Sequence, residues 1–368
     1  LHFTDTLTIA LRCDGAARLF AALSATLWPF TALYACDYMR HEKHLAMFWS
    51  FFTASFGVTL GIAFSANMLT MYLFYELLTL ATLPLVMQPM TAAAKAAGIK
   101  YLLYSMSGAA LAFIGLVFLI LHDAQEFVPG GHLTAASGGD LSMLLPVFVL
   151  AFVGFGVKAA VFPGHKWLLR ASVAPTPVTA LLHAVAVVKA GVFAVARITW
   201  YGFGPDLLRG SWCQYLAMGA AMFTIVYASS KALRTKHLKR RLAWSTVSNL
   251  SYILLGIATL TTAGLIAGMV HMVVHAVLKI TLFFGVGAVH YKLHRDFVPD
   301  VEGCGVLMPV VFGTFATASL GLMGVPPLAG FASKWLLATA AVVLLVSSNL
   351  PTGFSTTASW AASTATRK

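Results

Sequence analysis

The stretch Leu150–Ile198, LAFVGFGVKAAVFPGHKWLLRASVAPTPVTALLHAVAVVKAGVFAVARI, decides the fold. It holds two apolar segments of membrane-spanning length, each with one lysine well inside it, Lys158 and Lys189. A lone ammonium at the centre of a spanning helix costs about 2.5–3.5 kcal/mol on insertion scales, so two in succession need a reason. Pro163 and Gly164 interrupt the first segment just past its lysine. Such a break frees backbone carbonyls, which a membrane tolerates only where protein or water satisfies them. Buried charge beside a broken helix points to an ion path.

Working outward, 59% hydrophobic and 10% charged residues are too apolar a mixture for a soluble domain, and the expected class is an all-α, polytopic transmembrane helix bundle. The formal charge of +12 does not mark a nucleic-acid binder, because the basic residues sit in short loops between apolar runs. Cys13, Cys36, Cys213 and Cys304 are scattered, with no Cys-x-x-Cys or Cys/His cluster to hold zinc, iron–sulfur or haem. Neither a metal nor a cofactor is expected. Residue 1 is leucine and no signal-peptide pattern follows it, so the start is expected to be truncated.

Hydropathy places spans at about 16–36, 45–66, 67–87, 101–121, 143–162, 173–196, 212–230, 244–261 and 264–290. The last apolar region, 305–348, is interrupted by Gly324-Val325-Pro326-Pro327 and reads as one broken span or two. Residues 1–15, with His2, Asp5, Arg12 and Asp14, are expected at a surface. Alternate loops carry fourteen Lys and Arg against two, Arg197 and Arg209, in the loops between them. Positive loops stay cytoplasmic, which puts Lys231–Arg241 inside and the acidic loop Asp123–Asp140 outside.

An internal echo accompanies this layout. A shift of 168 residues sets Gly156-Val157 on Gly324-Val325 and Lys166-Trp167-Leu168-Leu169 on Lys334-Trp335-Leu336-Leu337, with a break in each copy. The copies lie an odd number of helices apart, so the second runs through the membrane in the opposite sense, as in an inverted repeat.

Besides histidines, Glu76, Lys158, Lys189, Lys279 and Lys334 fall inside expected spans. Unpaired and charged together they would cost about 12–17 kcal/mol, so they must be paired, hydrated or neutralised. Glu76 is the single acidic residue in a span and the natural counter-ion for one lysine; Glu76 and Lys158 are expected at ion-pair or one-water distance. His271, His275 and Lys279 recur every four residues, a stripe about 80° wide and about 12 Å long. Such a row suits a proton-passing water chain; metal or haem binding by the two histidines, and plain packing, are the other readings. His183 lies six residues before Lys189, about 240° round a regular helix, so the two share a face only if the helix is distorted.

These residues resemble the antiporter-like membrane subunits shared by respiratory complex I, energy-converting membrane hydrogenases and Mrp-type sodium/proton antiporters. The likeness covers about residues 10–340 and rests on RCDGAARLF, FYELLTLATLPLV, VKAAVFPGHKWL, APTPVTALLHAVAVVKAG, RRLAWSTVSNLSYILLGI, HAVLKITLFFGVGAV and GVPPLAGFASKWLL. On that match the family's key glutamate falls on Glu76 and its broken-helix lysine on Lys158. Its connecting lysine falls on Lys189, its eleventh-helix pair on His275 and Lys279, and its exit lysine on Lys334, with His183 and His271 as further relay candidates. The resemblance implies inverted five-helix repeats, each housing a half-channel. It divides the chain into a surface segment 1–15, a helix and loop 16–44, a first repeat 45–196, an incomplete second repeat 197–348 and a Ser/Thr/Ala-rich tail 349–368. Two departures stand out: the family's first two helices have no counterpart, and after Trp335 the sequence leaves the pattern where a thirteenth helix is expected, as in a fragment or a divergent end. Lys166 also stands where members usually have a small or polar residue.

The function expected is proton translocation as a multi-pass subunit of a complex I-like or hydrogenase-type complex in a prokaryotic cell membrane, beside other membrane subunits and lipid. One alternative is a sodium/proton antiporter subunit of Mrp type. Another is a structural subunit with static ion pairs, which roughly one counter-ion per buried lysine would favour.

Overall fold

The computed structural model describes residues 8–133 and 141–349, so the start of the chain, part of the acidic loop and nearly all of the tail lie outside the described residues. The chain runs through α1 (Gly15–Tyr38), α2 (Leu45–Phe64), α3 (Met68–Val86), α4 (Ala92–Leu121), α5 (Leu141–Lys158), α6 (Lys166–Ala171) and α7 (Thr176–Ala184). There follow α8 (Val187–Arg197), a π-helical turn Ile198–Phe203, α9 (Pro205–Leu208), α10 (Trp212–Arg234), α11 (Leu238–Ala258), α12 (Thr262–Leu293), α13 (Pro309–Met323) and α14 (Ala329–Asn349). Among the described residues seven of these stretches are long and apolar enough to cross a membrane, while α13, at 15 residues, is too short to cross alone and ends at the break before α14.

Local chemistry explains most boundaries. Asp14, Asn67, Thr91, Ser211 and Thr261 each cap a helix by accepting a backbone N–H three residues on, the arrangement short polar side chains favour. The α4 helix starts at Ala92 rather than at 101, because Thr91 caps it and AAAKAAGIK is strongly helix-forming although too polar for the hydropathy window. The segment expected over 143–162 leaves helical geometry at Lys158; Ala160 takes a positive φ of 59°, and the Val157 carbonyl accepts from the Ala160 amide at 3.0 Å and from the Trp167 indole at 2.8 Å. The region 305–348 is two helices parted by Gly324–Leu328, as its Gly and Pro residues imply.

One crossing organises the bundle. The span Thr176–Phe203 is buried along the whole of its most apolar window, whereas every other candidate span shows one face to its surroundings. A helix apolar on all sides belongs at the centre. This span is not regular: Val185 and Ala186 both donate to the Leu181 carbonyl, and the helix restarts at Val187. Close approach fixes its neighbours, since a Cβ on Gly191 would meet the Ala159 amide nitrogen at 2.4 Å and one on Gly154 the Ala112 nitrogen at 2.5 Å. Small residues at such contacts let membrane helices pack backbone to backbone.

The structure corrects two expectations about charge. Arg197, assigned to a loop, ends helix α8 and is 1% exposed. Asp14, assigned to a surface, receives it through two hydrogen bonds of 2.5 and 2.8 Å. The helix simply continues into the π-helical turn, carrying the guanidinium inward where hydropathy had ended the span.

Candidate functional site

On α3, Tyr75 and Glu76 face the C-terminal end of α5. Lys158, the last residue of α5, donates to the Tyr75 carbonyl and to Glu76 Oε1 at 3.3 Å, with its ammonium 3.4 Å from the Tyr75 ring centroid. The Tyr75 hydroxyl donates back to the Phe155 carbonyl at 3.1 Å. A cation here also meets the negative end of the α5 dipole, and the break after it leaves the carbonyls that make that end negative. The expected approach of Glu76 to Lys158 across 82 residues is therefore present.

In the central span the distortion at Val185–Ala186 separates His183 from Lys189. Lys189 Nζ lies 2.7 Å from His275 Nδ1 on α12, and both residues are fully buried. His183 lies against the Phe283 ring at 4.9 Å and within electrostatic reach of His275 and Lys279. Both of its ring nitrogens, and His275 Nε2, are buried without a hydrogen-bond partner among the described residues. Buried nitrogens in that condition call for water, because an unsatisfied polar atom costs about 1–3 kcal/mol.

The stripe on α12 continues from there. His271 stands 6.1 Å from His275 between ring centroids and is held by Ser333 at 2.9 Å and Asn249 at 3.2 Å. Lys279 donates to the Leu242 carbonyl at 2.9 Å and to the Ser245 hydroxyl, while the Asn249 amide donates to the Ser245 carbonyl at 2.7 Å. Lys334 donates to the carbonyls of Leu322 and Met323 at 2.7 and 3.2 Å, at the C-terminal end of α13, with the Tyr252 ring 5.6 Å away. Lys334 thus sits on the open carbonyl end of the half-helix before its break, whereas Lys158 ends its own half-helix and reaches across to α3.

The structure groups the sequence-derived candidates as Glu76 with Lys158, Lys189 with His275 beside His183, His271 and Lys279, and Lys334 at the end of α13, with no hydrogen bond between the first group and the second among the described residues. The partners holding them were missed. Ser245, Asn249 and Tyr252 on α11 and Ser333 on α14 are polar residues at helical spacing in apolar segments, a signal that was present but weak. Among the described residues only Lys158 of the buried lysines has a carboxylate within 4.0 Å; Lys189, Lys279 and Lys334 rest on imidazole, hydroxyl and carbonyl groups. The internal echo shares its breaks but not its surroundings: Trp167 is fully buried and Trp335 is 63% exposed, while Lys166 is exposed and Lys334 is partly buried.

Comparison with known proteins agrees with this geometry. The chain is 32% identical over 335 residues to a probable K(+)/H(+) antiporter subunit of Rhizobium meliloti, covering 89% of this chain and 32% of that protein. It is 29% identical over 343 residues to an Na(+)/H(+) antiporter subunit of Alkalihalophilus pseudofirmus, covering 89% and 42%. The chain therefore spans well under half the length of these curated relatives. Among solved structures, a chain of the membrane-bound sulfane sulfur reductase, an archaeal respiratory membrane complex, superposes with a TM-score of 0.81 at 25% identity, over 90% of this chain and 68% of that one. A chain of the Mrp complex from Dietzia sp. shares the fold, with a TM-score of 0.78 at 22% identity over 94% and 64%. The family described as NADH:quinone oxidoreductase/Mrp antiporter, transmembrane, matches residues 65–359, and this multi-pass membrane chain belongs to it.

Proposed function

We propose that the chain translocates protons as one part of a larger membrane complex, along Glu76, Lys158, Lys189, His275, Lys279 and Lys334, with His183 and His271 as side stations. The observation that carries this reading is the contact of Lys189 Nζ with His275 Nδ1 at 2.7 Å in the fully buried centre of the bundle. One proton is shared across such a contact; two would leave adjacent cations without a carboxylate beside them. A charge arriving at one lysine therefore disfavours a proton on the next, and a row of groups in that condition passes charge along rather than storing it. Glu76 sets the state of Lys158 at one end: at 3.3 Å the attraction is worth about 5 kcal/mol for an effective dielectric near 20.

Static scaffolding fits less well, because three of the four lysines lack a carboxylate partner among the described residues. The division into a repeat over 45–196 and an incomplete one over 197–348 is part of the same proposal, supported by the broken segments after Lys158 and Met323. The two antiporter subunits support exchange of protons against Na+ or K+, the chain of the archaeal respiratory complex supports coupling to a fuel reaction, and either reading takes other membrane subunits as partners.

The test is Lys189→Met, which keeps length and apolar packing but removes the titratable group. In inverted vesicles carrying the complete complex, assembly should persist while the pH gradient falls at least tenfold. Lys189→Arg should not rescue it, since a guanidinium stays protonated. Wild-type gradients from a well-assembled Lys189→Met variant would refute the relay.

A further inference from the structure

Two cavities at the end of the bundle that carries the positive loops share one residue, Lys166, and the translocation reading uses neither. The first, about 570 Å³, lies between α4, α6 and α11; Lys166, Arg170 and Arg240 line it together with Ala93, Ala97 and Trp244. The second, about 310 Å³, runs between α4, α5 and α10 past the break after Lys158, lined by Tyr104, Leu111, Phe152, Val153, Phe162 and Leu216 beside Lys166. The three cations make no ion pair among the described residues.

A cationic recess that opens into an apolar groove through a shared lysine matches a ligand that is anionic at one end and hydrocarbon at the other. A small soluble anion would use only the recess, and a neutral lipid only the groove. Basic pockets between membrane helices on the cytoplasmic side suit phospholipid headgroups, and an arginine fork matches two phosphate oxygens at once. We propose that this composite site holds one anionic phospholipid of the inner leaflet, its phosphate against Lys166, Arg170 and Arg240 and an acyl chain in the groove. That chain lies against Val157, Val161 and Gly164, which also line the groove, and so covers the non-helical backbone following Lys158. An acyl chain can lie there because the amides of the break are already satisfied within the protein, Ala160 donating to the Val157 carbonyl, Val161 to the Gly156 carbonyl and Phe162 to the Thr224 hydroxyl. The phosphate contact gives Lys166 a role its sequence echo, Lys334, does not share.

The experiment is native mass spectrometry of the delipidated chain in neutral detergent, titrated with dioleoylphosphatidylglycerol, dioleoylphosphatidylcholine or inorganic phosphate. One phosphatidylglycerol should be retained per chain, at least tenfold in preference to phosphatidylcholine. The triple variant Lys166→Gln/Arg170→Gln/Arg240→Gln should lose the preference. Ser107→Trp, which fills the groove from an exposed position that also lines it, should lower retention of both lipids severalfold. Circular dichroism and gel filtration check folding, and Arg170→Gln alone, expected to lower the preference about threefold, replaces the triple variant if that one is not monodisperse. Equal retention of the two lipids, an unchanged preference in the charge variants, or full retention by Ser107→Trp would overturn the proposal. Displacement of phosphatidylglycerol by millimolar inorganic phosphate would overturn it too, in favour of a free-anion site.

Discussion

Replacing Asp14 by asparagine tests how the central span is held. Asparagine caps a helix about as well as aspartate, so the substitution keeps the α1 cap at Ala17 and removes only the charge. What it leaves is Arg197, 1% exposed, without the carboxylate it meets at 2.5 and 2.8 Å. Removing one partner of a buried pair costs about 3–5 kcal/mol, and here the guanidinium keeps the amide oxygen that also caps Ala17 and the rings of Phe127, Phe193 and Tyr201, 4.7–5.3 Å away. Cation–π contacts of that kind are worth about 0.5–2 kcal/mol each, so the expected net loss is near the lower bound, about 3 kcal/mol. The double variant Asp14→Asn/Arg197→Met should recover most of it, because apolar replacement of a whole buried pair is often neutral. Burial pushes the Asp14 carboxyl up, but Arg197 and the Ala17 amide outweigh it and hold the group below its ordinary value of 3.8. Its contribution is therefore complete above that value and lost as the pH falls through the depressed one. Denaturant unfolding in micelles, followed by circular dichroism, should give a stability difference between wild type and Asp14→Asn that is the same at pH 7 and 5 and shrinks below about 4, the titration of the histidines being common to both proteins. A single-variant loss under about 1 kcal/mol, the worth of an exposed pair, would refute the reasoning.

Three further outcomes follow from the relay geometry. Glu76→Gln removes an attraction of about 5 kcal/mol at 3.3 Å, and transport in vesicles should drop at least tenfold without loss of assembly; an unaltered rate would separate Glu76 from the path. Ser245→Ala deprives Lys279 of its hydroxyl acceptor but leaves the Leu242 carbonyl, so a loss of about 1.5–3 kcal/mol, or roughly tenfold or more in rate, should appear with normal expression. Gly191→Leu drives a side chain into the Ala159 backbone and should abolish assembly as judged by gel filtration, whereas Gly219→Leu, where a Cβ meets nothing within 4 Å, should assemble normally.

What the sequence determined by itself was everything that depends on local composition. Runs of apolar residues, Pro163-Gly164 and Pro326-Pro327, and lysines inside those runs are read along the chain, and they placed the spans, the breaks and the relay candidates. The spacing rule for His183 and Lys189 stated its own condition, a distorted helix, and the distortion lies at Val185–Ala186. Only the tertiary structure decided which groups meet. Lys158 finds Glu76 across 82 residues, Lys189 finds His275 across 86, and Arg197 finds Asp14 across 183. Hydropathy could not place Arg197, because a charged residue at the end of an apolar run reads as the start of a loop whether the helix stops there or carries the charge inward to a partner. Likewise Ser245, Asn249 and Ser333 look like ordinary small polar residues until α11, α12 and α14 pack together. The physical reason is the same in each case: the cost of burying a charge or polar group is local, but the partner that offsets it is chosen by packing.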